Sequence, residues 1–139
     1  CAFENEGSQR AEASRVHVYD FKWEGVSVPM LCQHCSDAAC VAVCPTGAMH
    51  RNPETSLVEY DASRCIRCRM CTMACPFGNC VFDALTDTIL KCNTCSGDPA
   101  CVKVCPADAL EYVEDTASTV SRQKNFAARM KDAIQDYPG

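Results

Sequence analysis

Hydrophobic and polar positions alternate along residues 16–31, VHVYDFKWEGVSVPML, and the alternation breaks at Glu24-Gly25. A two-residue period interrupted by a glycine-containing turn predicts a β-hairpin. Shorter versions of the period recur further on. One runs through strands near 48–51 and 57–60 around a polar turn at 52–56, another through 80–83 and 89–91 around 85–88. A last strand is expected at 111–113. From about Asp115 to Gln135 the period lengthens: Phe126, Met130, Ala133 and Ile134 fall at helical spacing, with Asp115 or Ser118 as a candidate N-cap. That predicts a C-terminal helix, which either packs on its own domain or docks on another subunit. Between the strands one unit recurs about every thirty residues: a loop, Cys-Pro, a short helical turn, then a strand.

The loops change the picture, because they carry the cysteines. Twelve of the fourteen fall in three runs, each ending in Cys-Pro. The first is Cys32, Cys35, Cys40 and Cys44; the second Cys65, Cys68, Cys71 and Cys75; the third Cys92, Cys95, Cys101 and Cys105. The middle run is C-x2-C-x2-C-x3-C-P, the ligand spacing of bacterial 4Fe–4S ferredoxins. The other two lengthen only the middle gap. Two-residue gaps let successive sulfurs turn inward around an iron–sulfur cube while intervening N–H groups face its sulfides. The proline after the fourth cysteine stops a helix from continuing. In two-cluster ferredoxins that cysteine ligates the other cluster of the pair, so one such run predicts a partner run.

Composition fits a metal-organised core. The chain has 139 residues, room for one domain or two very small ones. Beyond cysteine its apolar residues are mostly Ala and Val, so clusters are expected to act as the core and the apo-protein to be largely unfolded. A disulfide scaffold would spread its cysteines more evenly, and structural zinc commonly joins two C-x2-C pairs across a longer spacer. The formal charge is −5, and three oxidised cubanes with their thiolates would add roughly −6 at about −2 each. So anionic a protein is a poor nucleic-acid binder. No apolar run reaches membrane-spanning length and no signal-peptide pattern is visible, so no direct membrane span is expected. The chain begins at Cys1 with no initiator Met, so anything upstream is unseen.

The three runs, with CPTGA from Cys44, CPFGN from Cys75 and GDPACVKVCPADAL from Gly97, resemble a known family. They are similar to the four-cluster, ferredoxin-like iron–sulfur subunits that serve tungsten- or molybdenum-pterin oxidoreductases and some hydrogenase or carbon monoxide dehydrogenase systems. The resemblance covers nearly the whole chain. It implies an α+β fold of nested ferredoxin-like modules with short β-hairpins, a cluster-organised core and a C-terminal helix. The implied domains are 1–115, with 32–80 as the central two-cluster module and 1–31 plus 81–115 as a second, partial one, and then 116–139 as helix and tail. The family has four runs; here the first is only a stump, CAFENE, with Cys1 as its last cysteine. The family's crossing implies that Cys32, Cys35 and Cys40 share a cluster with Cys75. It likewise joins Cys65, Cys68 and Cys71 to Cys44, and Cys92, Cys95 and Cys101 to Cys1. Cys105 then faces a fourth cluster whose other ligands would lie upstream of Cys1. In the rival reading Cys105 closes its own run and Cys1 is spare. Three clusters are thus expected, and a fourth if upstream ligands exist.

Few other residues suggest chemistry. Cys80, outside every run, reads as a small buried hydrophobe. His34 lies inside the first C-x2-C loop and is either a loop residue or a group that tunes its cluster. Arg64, Arg67, Arg69 and Lys91 crowd the second and third runs; they are either solvated or set to raise cluster potentials and meet an acidic partner. The six glycines are scattered with no nucleotide loop, no C-x3-C-x2-C spacing occurs, and no Ser/His/Asp constellation is in place. The chain therefore reads as a non-catalytic electron-transfer subunit. Its expected partners are a larger catalytic oxidoreductase subunit, with tungsten- or molybdenum-pterin favoured by the resemblance, and an external redox protein. A free soluble polyferredoxin, a hydrogenase or carbon monoxide dehydrogenase subunit, and a zinc-organised interaction module are the alternatives. Low-potential clusters suit a reducing compartment, so cytoplasmic residence is expected.

Overall fold

A computed structural model describes residues 1–113 and Ala128. The chain forms two compact units, one over Cys1–Val104 and a second that begins at Cys105. The first is a small ferredoxin-like α+β arrangement of three separate two-stranded antiparallel sheets and four short helices.

The alternating stretch at 16–31 folds as the hairpin β1 (His17–Phe21) and β2 (Val26–Met30), with His17 opposite Met30 and Phe21 opposite Val26. Its turn closes through Gly25, whose φ of +66° suits a residue without a Cβ. Little of this hairpin is buried, and Trp23 at its tip is 98% exposed. The second sheet pairs β3 (Met49–Arg51) with β4 (Val58–Tyr60), and the third pairs β5 (Val81–Asp83) with β6 (Thr88–Leu90). Their inner positions make the core. Met49, Cys71, Cys80 and Ile89 form one buried cluster, with Tyr60, Phe82 and several run cysteines packed on it. Of the large side chains only Met49 and Val58 are fully buried among the described residues, so sulfur supplies much of the interior.

The helices are α1 (Ala2–Glu6), α2 (Ala39–Ala42), α3 (Met70–Ala74) and α4 (Ala100–Lys103). None is long enough to persist alone. The last three each carry the third cysteine of a run, namely Cys40, Cys71 and Cys101. The helical segment thus lies before Cys-Pro, whereas the sequence pattern placed it after. Proline explains the order. A residue before proline is pushed out of the helical region, and Cys75, before Pro76, is extended. Each Cys-Pro leads instead into one tight turn. Gly47 donates to the Cys44 carbonyl at 3.3 Å and Gly78 to that of Cys75 at 3.1 Å; in the second unit Asp108 donates to that of Cys105 at 3.3 Å. All three donors have a positive φ, +64°, +64° and +47°.

Two polar links tie the N-terminal segment down. Arg15 donates to Asn5 Oδ1 and Glu6 Oε1, both at 2.7 Å, and Arg10 pairs with Asp83 at 2.8 Å. The Arg10 guanidinium, with N–H and O–H donors from Leu85 and Thr86, holds the Asp83 carboxyl down at about 2. The strand expected at 111–113 does not form: these residues carry no ladder among the described residues. The expected C-terminal helix lies outside the described residues apart from Ala128, which is helical.

Candidate metal centres

Each run begins with a C-x2-C loop, and each loop is bent the same way. The residue before the second cysteine has a positive φ: His34 at +45°, Arg67 at +59° and Thr94 at +53°. Left-handed backbone is uncommon for residues with a Cβ, and its recurrence at one position in three loops marks a local requirement. In two of the loops this bend aims an N–H at the first sulfur, Arg67 to Cys65 at 3.3 Å and Thr94 to Cys92 at 3.4 Å. The turn after Cys-Pro does the same for the fourth sulfur. Met49 N–H reaches Cys44 Sγ at 3.3 Å, Asn79 N–H reaches Cys75 Sγ at 3.4 Å and Ala109 N–H reaches Cys105 Sγ at 3.3 Å. Donors aimed at sulfur favour thiolate over thiol, the form that binds iron.

Two cavities lie among these loops. The first is partly open to solvent and is lined by Cys32, Cys35, Cys40, Cys75 and Cys80 together with His34 and Asn79. The second is lined by Cys44, Cys65, Cys68 and Cys71 with Met49 and Tyr60. Each cavity therefore takes three cysteines from one run and the fourth from the other. Packing of α2 against α3 brings the two runs together in this way. Around the third run, a hydrogen bond links the N-terminal segment to the cysteine loop. Asn5 Nδ2 stands 3.7 Å from Cys1 Sγ and 4.0 Å from Cys95 Sγ, so one amide faces both sulfurs. Cys101 lies within electrostatic reach of Cys92. Cys105 belongs to the second unit.

The donor set fits four-iron clusters. Two all-sulfur quartets each stand around a space rather than at a point. A buried polar atom points the same way. His34 Nδ1 accepts the Val58 N–H at 3.2 Å, so the ring proton sits on Nε2, and Nε2 is buried with no partner among the described residues, on a ring that lines the first cavity. Burial, then the charges of Lys91 and Arg51, hold this imidazole down at about 4.

Two residues here had no strong sequence signal. Cys80 is buried, as its strand position implies, yet its thiol also hydrogen-bonds Cys40. That bond, aided by Lys91, pulls the Cys40 thiol down to about 6 and pushes Cys80 up. Tyr60 hydrogen-bonds Cys65, and burial with that bond pushes the phenol up to about 12. Nothing in an isolated strand tyrosine five residues before a cysteine announces this. The basic residues separate by role. Arg67 pairs with Asp87 at 2.7 Å, Arg69 stacks 3.7 Å from the Phe82 ring centre, and Arg51 donates to the Cys35 and Ser56 carbonyls, clamping the first loop. Lys91 alone of the four noted basic residues is buried. Among the described residues no helix is long and apolar enough to cross a membrane.

Comparison with known proteins agrees with this chemistry. A family profile described as a 4Fe–4S dicluster domain matches residues 23–115. The beta subunit of an NADH-dependent phenylglyoxylate dehydrogenase from Aromatoleum evansii is 35% identical over 81% of the chain, which spans 26% of that protein. The electron transfer subunit of a thiosulfate reductase from Salmonella typhi is 44% identical over 68% of the chain, which spans 53% of it. The polyferredoxin-like subunit of an aliphatic sulfonate oxidoreductase from Pyrococcus furiosus is 36% identical over 81% of the chain and is spanned to 66%.

Proposed function

This chain belongs to the 4Fe–4S dicluster family, and from that premise we propose that it is the electron-transfer part of a larger oxidoreductase, not itself a catalyst. Three 4Fe–4S clusters are held by Cys32, Cys35, Cys40 and Cys75, by Cys65, Cys68, Cys71 and Cys44, and by Cys92, Cys95, Cys101 and Cys1. The observation that carries this reading is the lining of the two cavities, each with three cysteines from one run and the last from the other. The Asn5 amide facing both Cys1 and Cys95 supports the third set. Nested ferredoxin-like modules follow from that crossing.

When bound, such clusters supply one-electron transfer, with potentials set by burial, charge and hydrogen bonds to sulfur. The residues of this chain supply those settings. Backbone N–H groups, Tyr60 and Cys80 donate to ligand sulfurs and so stabilise the more negative, reduced state. Short helices and left-handed turns set where the sulfurs stand. The partner is a larger catalytic subunit, with a tungsten- or molybdenum-pterin enzyme favoured, and an external redox protein closes the circuit. Two relatives are themselves described as an electron transfer subunit and a polyferredoxin-like subunit, which supports the relay role. Cytoplasmic residence is part of the same proposal, on the argument that low-potential clusters need a reducing compartment.

The test is anaerobic co-purification followed by metal analysis of the intact complex. Tungsten or molybdenum alongside iron is the expected result; nickel would move the partner to the hydrogenase or carbon monoxide dehydrogenase class. A chain that purifies alone at physiological concentration would favour a free polyferredoxin. Cys1→Ala separates the two third-site readings. It is expected to cost about four irons, one cubane, and unchanged iron would hand the closing position to Cys105.

A further inference from the structure

Lys91 is 4% exposed, and among the described residues no carboxylate forms an ion pair with it. Lysine is almost never buried unless paired, because an uncompensated ammonium in the interior is costly. Its Nζ donates to Cys32 Sγ at 3.4 Å and to the Cys92 carbonyl at 3.1 Å. These two contacts belong to the first cysteines of different runs, separated by 59 residues for the Cys32 contact. One buried ammonium thus bridges the first and third runs.

We propose that Lys91 is a counter-cation shared by the first and third clusters, setting both of their potentials from the point where their ligand shells meet. This rests on the reading that Cys32 and Cys92 ligate separate 4Fe–4S clusters. The negative charge that balances the buried ammonium is then the thiolate-bound clusters themselves. Reduction adds one electron to a cluster, and a fixed positive charge beside a ligand sulfur favours that state, so Lys91 raises both potentials together. The Lys91 contacts are to the first and third runs, whereas the second cavity has basic neighbours of its own: Arg69 lines it and stacks on Phe82, and Arg67 is paired with Asp87. The chain thereby separates its clusters into a coupled pair and an independent one.

The experiment is an anaerobic potentiometric titration, followed by electron paramagnetic resonance, on the cluster-loaded full chain in its complex. Wild type is compared with Lys91→Met, Lys91→Gln and Lys91→Arg. Two of the three midpoint potentials are expected to move to more negative values in Lys91→Met, the remaining one to stay, and Lys91→Arg to lie near wild type. Should Lys91→Met fail to hold its clusters, Lys91→Gln carries the comparison, since it keeps an N–H donor and removes only the charge. A shift confined to one cluster, an equal shift of all three, or no shift overturns the proposal. Iron and sulfide content of the wild type tests the underlying ligand reading separately, and a wild type without three clusters fails that reading rather than this one.

Discussion

Replacing Gly78 by alanine measures what the turn after Cys-Pro is worth. Gly78 has φ +64°, and a Cβ added there would meet nothing within 4 Å, so no steric contact enters. Left-handed backbone costs a residue with a Cβ about 1–2 kcal/mol. Alanine also restricts the unfolded chain, an offsetting gain of about 0.4–1 kcal/mol at unstrained sites. The net expectation is a loss of about 1 kcal/mol, roughly fivefold in the folded-to-unfolded ratio. Gly78→Asn should lose less, because asparagine tolerates this conformation; Asp108 occupies the equivalent position of the third run at φ +47°. Gly47→Ala should lose at least as much as Gly78→Ala, since its Cβ would sit 3.0 Å from Arg64 Nη2, the far end of a side chain that has to move. The assay is anaerobic urea denaturation of the holo-protein, followed by loss of visible cluster absorbance. The expected order of midpoints is wild type, Gly78→Asn, Gly78→Ala, then Gly47→Ala at or below it. A Gly78→Ala midpoint equal to wild type, or Gly78→Asn below Gly78→Ala, would refute the strain argument.

Three further outcomes are expected. Asp83 is held at about 2 by Arg10, against 3.8 ordinarily, so its contribution is present above about pH 4 and lost as the pH falls towards 2. Thermal melts of Asp83→Asn should therefore fall below wild type at pH 7, with the gap closing as the pH drops through that window; a constant gap would contradict the linkage. Met49 is 2% exposed at the centre of the buried cluster, and Met49→Ala should cost about 2–5 kcal/mol in urea denaturation, whereas an unchanged midpoint would place the core elsewhere. Asn5→Ala removes an amide that faces Cys1 and Cys95, so the third cluster's potential should become more negative and the others stay, as read by paramagnetic resonance titration.

The strands and loops were readable because their signals are local. Alternation and turn residues located all three hairpins, and Cys-Pro located the end of every run. Burial was not readable at the first hairpin: Val18, Tyr19 and Phe21 alternate with polar residues, yet they face largely outward with Trp23. Periodicity reports a strand, not what covers it. The strand expected at 111–113 failed for a related reason, since a strand exists only with a partner, and a three-residue pattern cannot supply one. The cysteine runs were readable as iron–sulfur chemistry because ligand spacing is a property of the loop. Their surroundings were not. Tyr60 against Cys65, Cys80 against Cys40, and Lys91 between Cys32 and Cys92 each join residues through the packing of separate elements, which no spacing encodes. Noting that Lys91 lies beside a run is a sequence observation; its burial on a different run's sulfur belongs to the fold.

The central claim is that these cysteines hold iron–sulfur cubanes, and the most direct test is anaerobic iron, acid-labile sulfide and zinc per chain with a visible spectrum. A brown protein with about twelve irons and as many sulfides is the expected result, on the logic of four irons per C-x2-C-x2-C site. A colourless protein carrying zinc and no sulfide would contradict it.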